Sequence, residues 1–132
     1  MNIIVLYADH DREDRELMDE FFSQYPDIEL VRFPNGQLLL DYINAVEGEF
    51  PCFLLLDADM PEKSGIDTLK ELRGLVKTSN TKAILFTQQI NEEEQETAKS
   101  LKADLIVKPQ TAAFVSLVGT QIIEYCYKYL AD

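Results

Sequence analysis

The sequence predicts an α/β domain: a doubly wound, five-stranded parallel sheet with helices on both faces. Five short apolar runs alternate with five longer amphipathic segments along the 132 residues, and alternation of this kind implies parallel strands joined by right-handed crossovers. Three of the runs are nearly unbroken in apolar residues, as expected of strands covered on both faces. The residues with chemical potential fall where runs end, and in open α/β sheets ligands bind outside the carboxyl ends of the strands.

The first run, Ile3–Ala8, stops at Asp9 and lacks the basic start and small-residue cleavage site of a signal peptide, so it fits a first strand. Residues 12–24 follow as a helix with Leu17, Phe21 and Phe22 on one side and charges opposite. The second strand is 29–33. Residues 37–46 then repeat Leu38, Leu39, Tyr42, Ile43 and Val46 at helical spacing, with Gly48 as the stop. The third strand is 52–56, followed by a helix over 66–76 carrying Leu69, Leu72, Leu75 and Val76. After the fourth strand, 83–86, the helix over 92–101 is polar, with only Ala98 and Leu101 to bury. The fifth strand, 104–107, leads into the longest and most apolar helix, 112–130. Its expected core stripe is Phe114, Leu117, Val118, Ile122 and Tyr125, widened by Val115, Ile123, Cys126 and Leu130. A face that wide reads equally as a broad buried surface or as a dimer or partner surface. Tyr125, Tyr127 and Tyr129 alternate, so at least one points outward.

Length and a 46% apolar composition place residues 1–132 in one domain able to bury a core without staples. The net charge of −12, with no cluster of Lys or Arg, argues against nucleic acid as a partner. No apolar run approaches membrane-spanning length. Cys52 and Cys126 match no metal or redox spacing and read as reduced, partly buried thiols of a cytoplasmic protein.

At the strand ends stand Asp9, His10 and Asp11; Asp57 and Asp59; Thr87; and Lys108 with Pro109. Each alone has an ordinary explanation: acids before a helix cap it and complement its dipole, a terminal Thr is a strand former, a terminal Lys is solvated. Together on one edge they form a coherent set of carboxylates for a divalent cation, a carboxylate nucleophile, a hydroxyl and an ammonium. Those are the parts needed to receive a phosphoryl group and stabilise its oxygens.

The apolar strand 53–56 ending in Asp57, then Met60 and Pro61, then Gly65 eight positions after the Asp, resembles the phosphoacceptor motif of response regulator receiver domains. Residues 83–87, ending in Thr87, resemble that family's fourth strand. Residues 105–109, ending in Lys108 and Pro109, resemble its fifth, and Leu6 through Asp11 its acidic opening. The resemblance spans the chain in order. It implies the flavodoxin-like strand order 2-1-3-4-5 and a stand-alone receiver without an output domain. It also implies a phosphoryl group accepted on Asp57 from a sensor histidine kinase or phosphotransfer protein, with signalling by protein–protein contact. The family's downstream surface is the fourth helix, fifth strand and fifth helix. By the same resemblance Asp9, Asp57 and the backbone carbonyl of Asp59 hold Mg²⁺ or Mn²⁺, Lys108 pairs with Asp57 before transfer, Thr87 swings toward a phosphoryl oxygen, and Pro109 follows a cis peptide. At most the protein would catalyse its own phosphorylation and dephosphorylation.

Three positions depart from the family pattern. His10 stands where the second acidic residue belongs, and imidazole suits Mn²⁺ or Zn²⁺ better than Mg²⁺. Either Asp9 or Asp11 takes over, or the metal changes, or affinity falls; the expectation is weakened but surviving Mg²⁺ binding, since Asp9 and Asp57 remain, and taken alone His10 reads as an exposed loop residue. Gln88 and Gln89 follow Thr87 where a small residue is usual, which narrows the approach. Leu105 replaces an aromatic switch residue. These departures leave a phosphorylation-independent interaction module as the alternative. A second alternative is a phosphatase of the haloacid dehalogenase type, suggested by Asp57 and Asp59 at a strand end. It lacks the acidic pair expected after Lys108, where the next acid is Glu124.

Overall fold

The computed structural model describes residues 3–48, 50–109, 111 and 113–131, with side chains through residue 128. Strands and helices alternate as β1 (Ile3–Ala8), α1 (Arg12–Phe22), β2 (Ile28–Phe33), α2 (Gly36–Ala45), β3 (Phe53–Asp57), α3 (Gly65–Arg73), β4 (Lys82–Thr87), α4 (Glu92–Ser100), β5 (Ala103–Val107) and α5 (Ala113–Ala131). All strand pairs are parallel, in the order β2-β1-β3-β4-β5, as expected.

Side chains that alternate along each strand divide the core into two layers. Val5, Tyr7, Phe53, Leu55, Ile84 and Phe86 meet Met18 and Phe22 of α1 and Phe114, Val118 and Ile122 of α5. Leu6, Ala8, Leu54, Leu56, Ala83 and Leu85 meet Leu39 and Ile43 of α2, Leu69 and Leu72 of α3 and Ala98 of α4. Both faces of β3 are therefore covered, which is why its sequence is apolar without a break.

Each early helix has a side-chain cap at its start: Asp11 for α1, Asn35 for α2, Ser64 for α3 and Asn91 for α4. The cap oxygens accept backbone N–H bonds that the first helical turn cannot satisfy internally. Gly74 ends α3 at Arg73, and that leaves Val76 exposed instead of buried.

Two apolar stripes are buried at their expected centres, Leu39 and Ile43 in α2 and Phe114, Val118 and Ile122 in α5, but differ from expectation at one edge. In α2 the buried set is Leu39, Leu40 and Ile43, with Leu38 exposed. In α5 it is Phe114, Val115, Val118, Ile122, Ile123 and Cys126, while Leu117 is about half exposed. A helix apolar on most sides does not specify its own rotation; the neighbour does. In α5 the neighbour is α1, and Gly119 lets the Phe21 ring approach so closely that a β-carbon would lie 2.5 Å from it. Leu130 and the side chain of Tyr129 lie outside the described side chains; Tyr127 is exposed and its ring is 6.5 Å from that of Tyr25.

Cys52 and Cys126 are free and buried in the α1–α5 layer. Their thiols meet there: the hydrogen bond between them lowers the Cys52 pKa and, with burial, raises that of Cys126. Among the described residues no helix is long and apolar enough to cross a membrane.

Candidate functional site

Because β1, β3, β4 and β5 are adjacent and parallel, the residues leaving their carboxyl ends converge on one edge. Asp9 follows β1 and is fully buried. Tyr7, two residues earlier and so on the same side of the strand, donates its hydroxyl to Asp9 Oδ2 at 2.6 Å. The backbone N–H of Asp11 donates to Asp9 Oδ1 at 3.0 Å, and Arg15 donates to the Asp9 carbonyl at 2.6 Å. The carboxylate of Asp11 itself turns back to cap α1, accepting from the N–H of Asp14 at 3.2 Å.

Asp57 is the last residue of β3 and is 4% exposed. The N–H of Asp59 donates to its Oδ1 at 2.9 Å. Its Oδ2 faces Nδ1 of His10 at 2.5 Å. The loop beneath the carboxylate is tight, with the N–H of Ala58 bonded to the Phe86 carbonyl at 2.8 Å and that of Gly65 to the Ala58 carbonyl at 3.2 Å. A β-carbon on Gly65 would lie 2.2 Å from the Asp57 carbonyl oxygen, so only glycine fits eight positions after the Asp.

Thr87 ends β4, buried, with its hydroxyl 3.2 Å from Oδ2 of Asp59 and 3.3 Å from the Gln89 carbonyl. The same Asp59 oxygen accepts the N–H of Gln88 at 3.2 Å. Gln88 is exposed and lines a cleft of about 330 Å³ together with Asp14, Leu17, Lys108 and Pro109. Lys108 follows β5. Its ammonium donates to Asp9 Oδ2 at 3.1 Å, pairs with Asp14, and lies 5.0 and 4.9 Å from the ring centres of Phe86 and Phe114.

Burial raises the pKa of Asp9, and its donors Tyr7, Asp11 and Lys108 only partly offset that. For Lys108 burial works against the charge, but hydrogen bonds and attraction to Asp14 and Asp9 outweigh it and the pKa is raised. Tyr7 is held neutral well above its ordinary range, first by burial and then by the neighbouring Asp9 charge. One ligand atom from each of Asp9, His10 and Asp57 lies within 4.8 Å of the others, a spacing and donor set that fit a divalent cation.

A family model for the response regulator receiver domain matches residues 5–117. The chain belongs to the response regulator receiver domain family. It is 36% identical over 100 residues to the transcriptional regulatory protein CpxR of Klebsiella pneumoniae, covering 76% of this chain and 40% of that protein. It thus spans well under half of that relative. Among solved structures it resembles the phosphorylated cyanobacterial phytochrome response regulator RcpA, with a TM-score of 0.78, 18% identity and 89% of each chain covered. It also resembles the Mn²⁺-bound form of response regulator Rcp1, with a TM-score of 0.73, 20% identity and 88% of each chain covered.

Receivers are signalling domains that interact with histidine kinases and downstream targets, and phosphorylation on Asp is general to the family. They bind Mg²⁺ or Mn²⁺ at an acidic pocket, and this chain brings together an Asp9, His10 and Asp57 group. In this receiver the structure brings Asp9, His10 and Asp57 together and sets Thr87 and Lys108 around them. Several contacts differ from expectation. Lys108 pairs with Asp9 and Asp14, not with Asp57, because two carboxylates outcompete one. Asp11 serves as helix cap and is outside the Asp9–His10–Asp57 group. His10 is 46% exposed, yet it is bonded to Asp57 instead of standing free in a loop. Among the described residues no peptide bond is cis, so the bond preceding Pro109 is trans, the lower-energy isomer of an X–Pro amide.

Tyr7, Asp14 and Arg15 belong to the site and were not anticipated. Tyr7 had a signal in its two-residue offset from Asp9. Asp14 is also an acid in the first turn of α1, an ordinary place for one.

Proposed function

We propose that this receiver accepts a phosphoryl group on Asp57 from a phosphohistidine of a sensor kinase or phosphotransfer protein, and signals through phosphorylation-dependent protein contact. The observation that carries this is the placement of Asp57: a buried carboxylate at the end of a central strand, with Oδ1 fixed by the Asp59 N–H. Oδ2, now facing the half-exposed His10, is the oxygen left for attack. In the transfer that oxygen bonds to phosphorus as the phosphorus–nitrogen bond breaks, and the electron pair leaves with the donor imidazole.

Asp9 and Asp57, with His10, would hold a divalent cation, which when bound offsets the negative charge of the carboxylates and incoming phosphoryl group. The family's carbonyl ligand would come from Asp59. Lys108, already charged and beside Asp9, needs only to exchange a carboxylate partner for a phosphoryl oxygen. Thr87 does likewise by leaving Asp59. Its departure removes one of the two bonds that tie Asp59 to the end of β4, so the charge change at Asp57 is coupled to the loop before α4 and to the α4–β5–α5 face. Leu117 and Val107 are exposed on that face, and Leu105 is partly so; this supports it as the partner surface.

The test is intact mass after incubation with acetyl phosphate and Mg²⁺ or Mn²⁺, beside Asp57→Asn. One phosphoryl adduct, absent in the variant and dependent on metal, is expected. No adduct with either metal, nor from a phosphorylated histidine donor, would leave the phosphorylation-independent module as the better account.

A further inference from the structure

The imidazole in the acidic pocket has a consequence for which ion the pocket selects. We propose that His10 makes the Asp9–His10–Asp57 group a site that prefers a borderline, nitrogen-accepting divalent ion of the Zn²⁺ class over Mg²⁺. This rests on the pocket being the receiver's cation site and specifies which cation it takes.

The donor set is the first ground. Its atoms are one imidazole nitrogen and carboxylate oxygens of Asp9 and Asp57, within 4.8 Å of one another. Mg²⁺ demands oxygen ligands and gives up its waters reluctantly, whereas Zn²⁺ takes imidazole and carboxylate together. For a mixed nitrogen and oxygen site, Zn²⁺ stands above Mn²⁺ in the divalent series, which peaks at Cu²⁺.

Charge is the second ground. A carboxylate at position 10 would add a third anion beside Asp9 and Asp57. A neutral imidazole does not, and the Lys108 ammonium already bonds to Asp9 Oδ2. The electrostatic attraction on which a hard ion depends is reduced, while a nitrogen lone pair is gained.

Orientation is the third ground. Nδ1 of His10 already points at Asp57, 2.5 Å from Oδ2, and lies 4.0 Å from Oδ1 of Asp9. The ring is therefore aimed into the pocket and not at solvent, although nearly half of the side chain is open to an arriving ion. The carboxylates have fixed supports in Tyr7, the Asp11 N–H and the Asp59 N–H, which hold them in place when a ligand arrives.

The chain has a single histidine, and its two cysteines are buried around the start of β3, at the opposite end of the strand from Asp57. Imidazole-dependent metal binding can thus be assigned without ambiguity. The full chain would be titrated with ZnCl₂, MnCl₂ and MgCl₂ by calorimetry, with the ring resonances of His10 followed by NMR. Zn²⁺ should bind about tenfold or more tightly than Mg²⁺ and shift the His10 resonances, with Mn²⁺ between. His10→Asp should narrow the gap, raising Mg²⁺ affinity and lowering that of Zn²⁺, and Asp57→Asn should weaken both.

Tighter Mg²⁺ than Zn²⁺ binding in the wild-type chain, a Zn²⁺ affinity unchanged by His10→Asp, or a His10 resonance unmoved at saturation would each overturn the proposal. Phosphoryl transfer is read separately by mass. An adduct on Asp57 without the metal preference refutes the ion selectivity alone. The preference without an adduct refutes Asp57 as acceptor and leaves the selectivity standing.

Discussion

On the β1 flank of Asp57 a side chain already touches its carboxylate: His10 bonds to Oδ2, and its neighbour Asp9 is fixed by Tyr7 and the Asp11 N–H. On the β4–β5 flank the expected groups are present but engaged elsewhere, Thr87 with Asp59 and Lys108 with Asp9 and Asp14. The first flank decides what can approach the carboxylate. The second decides what must move once it is modified. A receiver needs both, and here the departure at His10 falls on the first, while the second keeps Thr87 and Lys108 beside the departures at Gln88, Gln89 and Leu105.

The strongest way to break this division is Lys108→Met. Removing the ammonium leaves Asp9 buried beside Asp14 with no cation, and loss of one partner from a buried pair costs about 3 kcal/mol. Urea unfolding at neutral pH should show that loss, and the mass assay should show little or no adduct. Because burial has raised the pKa of Asp9, its protonation relieves part of the damage, so the loss should be smaller at pH 5 than at pH 8. An equal loss at both would mean that Asp9 is not the group left uncompensated.

Gly65→Ala should come next, at about 2 kcal/mol, since its β-carbon meets backbone that cannot swing aside. It displaces Asp57 itself, so metal binding and phosphoryl transfer should fall together. Loss of one without the other would show that the flanks read Asp57 independently.

Tyr7→Phe sharpens the β1 flank. It removes a hydroxyl donor to a buried carboxylate and should cost about 1.5 kcal/mol. Tyr7 and Lys108 both have raised pKa values, so their contribution to stability is complete below their ordinary values of 10.0 and 10.5 and is lost as pH rises through the folded values. Stability should therefore fall steeply above about pH 10, and less steeply in Tyr7→Phe. An unchanged alkaline slope would remove Tyr7 from this account.

The smallest effect on stability is expected from Thr87→Ala, about 1 kcal/mol, because Asp59 keeps its bond to the Gln88 N–H. The adduct should still form. What should disappear is the phosphorylation-induced change in amide resonances along α4 and β5; its persistence would place the relay elsewhere.

The order of strands and helices was legible because local periodicity acts over a few positions, and the unbroken apolar run before Asp57 marks β3 as a strand covered on both faces. The caps Asn35, Ser64 and Asn91 came only with the structure. The gathering of Asp9, Asp57, Thr87 and Lys108 was legible too, since parallel strands in a known order bring their carboxyl ends together. The edges of the buried faces of α2 and α5 were not. Both are apolar over most of their circumference, so the packing partner chose Leu40 over Leu38 and Cys126 over Leu117.

By itself, then, the sequence determined the fold, the edge where chemistry is possible and the residues that stand there. Local propensity, alternation and topology are enough for that. Only the tertiary structure decided which of those residues touch. Asp11 could ligate or cap, and the start of α1 took it; Lys108 could reach Asp57 or Asp9, and Asp14 drew it to the β1 side. His10 could face solvent or the carboxylate at the end of β3, and it faces Asp57. Pairings among charged groups depend on ångström differences in distance and on competing partners far apart in the chain, which spacing along a sequence does not encode.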